Sequence, residues 1–503
     1  MRRGSVPLLV LILSGACASA PTRTPASTPA PYSDIAAYRA ARERLIAEDR
    51  ATRLGANLLL TPAEETANRR LMALKQAELD RTREYFPPAH SFLEEKTKQI
   101  IAESPVFEVM RRLPKGGVLH AHGGALGDFR WLVSDVSYRP DCYIYLGDGP
   151  AVPRGALRLA ETSPGEGWRL VSEVRASAAD RKAFDEGIYR SITLGEEEMQ
   201  APDIWREFTT VFQRVSGLTG NPSVRAEYWR NMLLALVDEN IQYLESRSVA
   251  IELSIVQDVK TRDPDFDVKF IAAAGRAGTR EQVAQALANA IDLRAKDPGR
   301  IVGFDLVQEE DRTNTNLYYI EQLLAARREA ERRGVGLPFY LHSGETSWAE
   351  NENLYDAILL GAARIGHGVA LIKHPRLMQI VKERGIGVEV CPISNQLLGY
   401  VSDLRNHPAI HYINAGLPVV LSTDDPAIFR QSLSHDFYAA FMAWGLDLRS
   451  LKQLAMNSLI HSAMNPDEKK RALAAWDRRW ATFITWLNQR LESQFPDAPQ
   501  ISD

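Results

Sequence analysis

Residues 116–122 read Gly-Gly-Val-Leu-His-Ala-His. Two histidines stand one residue apart at the end of a short apolar run with the look of a buried strand. Side chains alternate along a strand, so His120 and His122 project to one side and their ring nitrogens can share a ligand. Such a pair could equally be hydrogen-bonded within a core. What decides between the two is what the rest of the chain places beside it.

Six further runs have the same β-rich character: SVAIELSIV (248–256), RIVGFDLV (300–307), PFYLHSGE (338–345), ARIGHGVAL (363–371), GVEVCPIS (387–394) and PVVLSTDD (418–425). Amphipathic stretches such as NTNLYYIEQLLAARREAERRG (314–334) and ENLYDAILLGA (352–362) lie between them. Strands alternating with helices predict parallel βαβ units with both sheet faces covered. This many strands over residues 113–495 predicts an α/β fold, a (β/α)8 TIM barrel, rather than an open sheet. Residues 140–200 or so break the rhythm and read as an insertion after the first barrel strand.

Each of several strands ends, on its C-terminal side, in residues with chemical capacity: His342 and Glu345, His367, Asp424 and Asp425. In a barrel those ends converge on one mouth. Three histidines and an aspartate make a zinc shell with room for water, with Asp424 the natural anionic ligand. Water in such a shell becomes a nucleophile near neutral pH. His367, alone between glycines, suits a base, and Glu345 suits a proton donor. Asp425 can meet substrate, orient water or simply form the turn before Pro426. Cys391 reads as a packed thiol.

The N-terminal MRRGSVPLLVLILSGACASA combines two arginines, an apolar run and small residues, the pattern of an export signal over residues 1–20. LSGAC, ending at Cys17, is close to a bacterial lipoprotein box, so lipidation of Cys17 and ordinary cleavage near Ala18 or Ala20 both stand open. Residues 21–33 are rich in Pro, Thr and Ala and read as a tether. Residues 34–112 read as helices, one starting at the capping box Thr61-Pro62-Ala63-Glu64. The expected location is outside the cytoplasm: periplasmic, tethered to the outer membrane, or secreted. The 503 residues carry a formal net charge of −4, which offers no basic face and so argues against nucleic acid. Three cysteines make no disulfide framework.

In order, HxH, LHSGE, RIGHG, CPISNQ and STDDP resemble the adenosine deaminases of the metal-dependent amidohydrolase barrels, closest to the secreted growth-factor type. The resemblance extends over about residues 40–490, through RIGHGVALIKHP, VEVCPISNQLL and VSDLRNHP. It implies one zinc ion on His120, His122, His342 and Asp424. It further implies that Glu345 protonates purine N1, His367 is the base toward the attacking water, and Asp425 hydrogen-bonds N7. Adenosine and 2′-deoxyadenosine would then yield the inosine product and ammonia. Trp205, Gln308 and Gly344 stand where the family lines its substrate. Gln308 replaces a glycine that in the family approaches N3, and Gly123-Gly124 stand where relatives offer an aspartate to the ribose. Those departures leave room for another aminopurine as substrate. A secreted binding or growth-factor-like protein with a vestigial site is the reading from a different class. By the same resemblance the 34–112 region is a dimerisation element and the chain a homodimer.

Overall fold

The computed structural model describes residues 34–248 and 251–496. The expected signal peptide, Cys17 and the tether lie outside them. The chain divides into two compact units, residues 1–48 and 49–503. The described part of the first belongs to the helix Ile35–Ala51, which has no buried residue.

Eleven strands are present among the described residues: β1 (Gly116–Val118), β2 (Cys142–Tyr145), β3 (Leu157–Leu159), β4 (Trp168–Leu170), β5 (Ile241–Arg247), β6 (Asp267–Gly275), β7 (Ile301–Val307), β8 (His342–Ser343), β9 (Arg364–His367), β10 (Gly387–Val390) and β11 (Val419–Leu421). Eight of them form two parallel four-stranded sheets, ordered β1-β5-β6-β7 and β11-β10-β9-β8. Bridges link the sheets at both edges: Phe304 in β7 with Phe339 just before β8, and Ala121 after β1 with Asp424 after β11. The eight strands therefore follow one another around a ring, and their C-terminal ends share one side. Helices connect them, as parallel crossovers require.

Between β1 and β5, β2 pairs antiparallel with β3 and β4, and β3 packs on the helix Ile204–Thr219. Cys142 and Cys391 are buried free thiols. The capping box at Thr61 forms, with Glu64 bonding back to the Thr61 N–H. The helix that it opens, Pro62–Arg81, packs on the C-terminal helix Pro466–Glu492 within the same compact unit as the strands. Glu64 joins them, taking hydrogen bonds from Lys452 Nζ at 2.6 Å and Trp480 Nε1 at 2.5 Å.

One sequence expectation needs correction, and two strands were not expected. SVAIELSIV is not a strand: Val249 and Ala250 lie outside the described residues, and Leu253–Arg262 is a helix. The strand precedes it, at IQYLESR, and DVKFIAAAG is a further strand. IQYLESR carries Glu245 and Arg247 where an apolar residue is expected, because both charges are buried inside the ring in ion pairs.

Candidate metal centre

His120 and His122 follow β1, and the backbone there is held from both sides. Leu119 and His120 N–H groups reach Ser422 Oγ at 3.3 and 3.2 Å, and His122 N–H donates to the Asp424 carbonyl at 3.2 Å. His342 opens β8 and His367 closes β9. Their ring atoms converge: His120 Nε2 lies 3.1 Å from His342 Nε2 and 3.4 Å from Asp424 Oδ1, and His122 Nε2 lies 3.1 Å from the same oxygen.

Two overlapping groups could each hold a metal ion: His120, His342, His367 and Asp424, all buried, and His122, Asp424 and Asp425. The expected ligands His120, His122, His342 and Asp424 are thus brought together around Asp424. His367 stands beside His120 and His342, with ring centroids 4.5 and 5.0 Å away, against 4.4 Å between those two.

Four buried polar atoms here have no hydrogen-bond partner: Asp424 Oδ1, His367 Nε2, Glu345 Oε1 and Asp425 Oδ1. Isolated buried polar atoms are costly and rare. Four gathered at one site, offering nitrogen and anionic oxygen, fit a divalent ion and a polar substrate. Backbone strain gathers here as well, with His367 (φ 60°), Asp424 (φ 63°) and Gln308 (φ 88°) all left-handed without being glycine.

The titrating groups are driven apart. Burial, then the charges of Asp424, Glu310 and Asp425, pushes the Glu345 carboxyl well above its ordinary range. Asp425 rises too, through burial and the neighbouring Asp424. Burial would also raise Asp424, but the imidazole nitrogens of His120 and His122 that face its Oδ1 outweigh it and hold that carboxylate low. Burial keeps His367 neutral. Protonated acid and neutral imidazole therefore stand close together, with Glu345 Oε1 3.5 Å from His367 Nδ1.

Beneath the ligands lies a set of charges that the sequence reading missed. Asp305 in β7 takes His342 Nδ1 at 2.7 Å, and Glu389 in β10 takes His120 Nδ1 at 2.8 Å. Arg247 and Arg364 complete the set, Arg364 pairing with both Glu389 and Glu245. Carboxylates on the far nitrogen of a ligating histidine fix its tautomer and orientation. The available signal was a lone acid inside an apolar run, in RIVGFDLV and GVEVCP.

Glu310 was also missed. Its carboxylate accepts the Gly344 N–H at 3.1 Å, the Glu345 N–H at 2.8 Å and Asn353 Nδ2 at 2.7 Å, which sets where Glu345 stands. Gly344 is left-handed (φ 76°), and a Cβ there would lie 2.8 Å from Leu354. Gln308 folds back, its Oε1 accepting the Ala277 N–H at 3.0 Å. Trp205 Nε1 donates to Tyr400 Oη at 3.0 Å, and Tyr400 is near enough to Glu345 that an ionised carboxylate there would add to burial in raising its phenol. Gly123 has no room for a side chain, since a Cβ would meet Ser248 at 2.7 Å and Trp229 at 2.8 Å.

Clustered histidines and carboxylates at the C-terminal ends of a parallel α/β ring define a class: metal-dependent hydrolases of the amidohydrolase kind. The family model described as "Adenosine deaminase" matches residues 247–477, and "Adenosine/AMP deaminase N-terminal" matches residues 22–110. The chain is similar to adenosine deaminase 2 of Dictyostelium discoideum, 36% identical over 91% of this chain and 88% of that protein. It is similar also to adenosine deaminase 2 of Homo sapiens, 35% identical over 88% and 92%. A zinc-bound amidohydrolase from Burkholderia ambifaria has the same fold, with TM-score 0.52 and 19% identity over 77% of this chain and 95% of that one. The chain belongs to the adenosine deaminase family and is an enzyme of it.

Proposed function

We propose that the enzyme hydrolyses adenosine, and 2′-deoxyadenosine, to the corresponding inosine and ammonia, on a (β/α)8 barrel holding one zinc ion per chain. The observation that carries this is the cluster of four unpartnered buried polar atoms on Asp424, His367, Glu345 and Asp425. His120, His122, His342 and Asp424 would hold the zinc. When bound, the ion supplies a water acidic enough to attack near neutral pH.

The remaining steps belong to the protein. Glu345, kept protonated by its surroundings, donates to purine N1 and makes C6 electrophilic. His367, kept neutral by burial, takes the proton from the attacking water. Asp425, also raised, has a proton to give N7, which only accepts. Gly344 and Gln308 border the base through their backbones, and Trp205 with Tyr400 walls the pocket. The Gln308 contact with Ala277 supports a base pocket that the glutamine side chain does not fill.

A panel of adenosine, 2′-deoxyadenosine, adenine and N6-substituted adenosines tests the assignment. The nucleosides are expected to turn over fastest, and a clear preference for the free base would overturn it. Export through residues 1–20, with either a lipid anchor on Cys17 or cleavage near Ala18 or Ala20, and homodimerisation through the N-terminal helices complete the proposal. Light scattering on the whole chain decides the last, where a monomeric mass would refute it.

A further inference from the structure

We propose that Arg247 is the positioning residue of the metal centre, one guanidinium that sets the mutual orientation of its histidines. This deepens the metal-dependent reading above and rests on it. Arg247 is fully buried at the end of β5. Its Nε lies 3.0 Å from Asp305 Oδ2, the oxygen that takes His342 Nδ1. Its Nη2 lies 2.6 Å from Glu389 Oε2, the oxygen that takes His120 Nδ1. The two arms are thus alike: histidine nitrogen, shared carboxylate oxygen, guanidinium nitrogen.

The third nitrogen, Nη1, donates to the Leu119 carbonyl, one residue before His120. The backbone adds a further tie. Arg247 N–H donates to the Ala121 carbonyl at 2.8 Å and its carbonyl accepts the Gly123 N–H at 3.3 Å, which brackets His122. Three of the four proposed ligands, drawn from the ends of β1 and β8 in different sheets, are therefore referred to a single residue. The rigid planar fork is what makes this work, since its nitrogens lie at fixed separations. An ammonium is one point of charge and cannot hold both carboxylates in that geometry. Arg364 is the natural comparison, because it reaches Glu389 and Glu245 and not Asp305.

The test compares the full chain with Arg247→Lys and Arg364→Lys. It reads the zinc dissociation constant by chelator competition, the cobalt-substituted visible spectrum, and the melting of the metal-free protein. Arg247→Lys is expected to weaken zinc about 10- to 100-fold, the usual effect of losing a ligand's orienting partner, and to change the cobalt spectrum. Arg364→Lys, which reaches a ligand through Glu389 alone, is expected to weaken zinc and change the spectrum less than Arg247→Lys does, even where it lowers melting more. Unchanged zinc affinity and spectrum in Arg247→Lys would overturn the proposal.

Should Arg247→Lys fail to fold, Asp305→Asn, Glu389→Gln and the double variant replace it. With a common tie their losses of zinc affinity are non-additive, and additive losses would overturn the proposal. A wild-type chain that binds no zinc refutes the metal-dependent reading itself, an outcome distinct from either.

Discussion

Glu310→Gln isolates how the protein places its proton donor. Glu310 touches neither the proposed ligands nor the reacting atoms, yet its two oxygens accept three N–H groups, two of them from Gly344 and Glu345. A carboxamide has one accepting oxygen. Turned toward Gly344 and Asn353 it keeps two bonds and sets its NH2 against the Glu345 N–H. The loss is one charge-assisted hydrogen bond, about 1.5–3 kcal/mol of folding free energy. A misplacement of about 1 Å at a reacting group costs up to ~10²-fold in rate, so kcat/KM should fall roughly ten- to hundredfold with the zinc content unchanged. The pH profile carries a second signature. Glu310 is one of the negative charges that raise Glu345. Removing it lowers the Glu345 pKa, and the alkaline limb of activity, where Glu345 loses its proton, moves to lower pH. Denaturant unfolding, steady-state rates across pH and metal analysis together give the answer. Wild-type unfolding, kcat and alkaline limb in Glu310→Gln would refute the reasoning.

Glu345→Gln keeps the shape but cannot give up a proton as an acid, so kcat should drop by about 10²–10⁴ while zinc content stays whole; a smaller loss removes Glu345 from that role. Gly344→Ala forces a side chain into a left-handed position for about 1–2 kcal/mol and presses on Leu354 for about 1–3 kcal/mol more, and an unchanged melting curve would contradict it. Glu64 has its pKa lowered from 4.5 to about 2: burial opposes ionisation, and the hydrogen bonds from Lys452, Thr61 and Trp480 outweigh it. A depressed folded-state pKa gives stability that is fully present above pH 4.5 and is lost as pH falls toward 2. Glu64→Gln should therefore flatten the acid limb of a pH–stability curve in that window, and an unaltered limb would count against the ion pair.

Reading the sequence located most of the ring and nearly all of the mouth, for one physical reason. His120, His342, His367 and Asp424 each end an apolar run, so alternation and punctuation both marked them. Where the ring's interior is charged the same logic failed. IQYLESR, with Glu245 and Arg247 buried in ion pairs, lacks the apolar repeat of a buried strand. The apolar SVAIELSIV beside it turns into a helix at Leu253. Asp305 and Glu389 went unremarked because pairing across β5, β7, β9 and β10 cannot be seen along a chain. Glu310 was passed over as one acid among several in QEED. Its role depends on Gly344 turning left-handed 34 residues later.

The most direct measurement is the loss of absorbance near the adenosine maximum as the purified enzyme acts on adenosine, after chelation and again after zinc is restored. Deamination should disappear on chelation, return with zinc and be absent from Glu345→Gln. Zinc-loaded enzyme that leaves adenosine unchanged, or activity that survives complete removal of metal, would contradict zinc-dependent deamination.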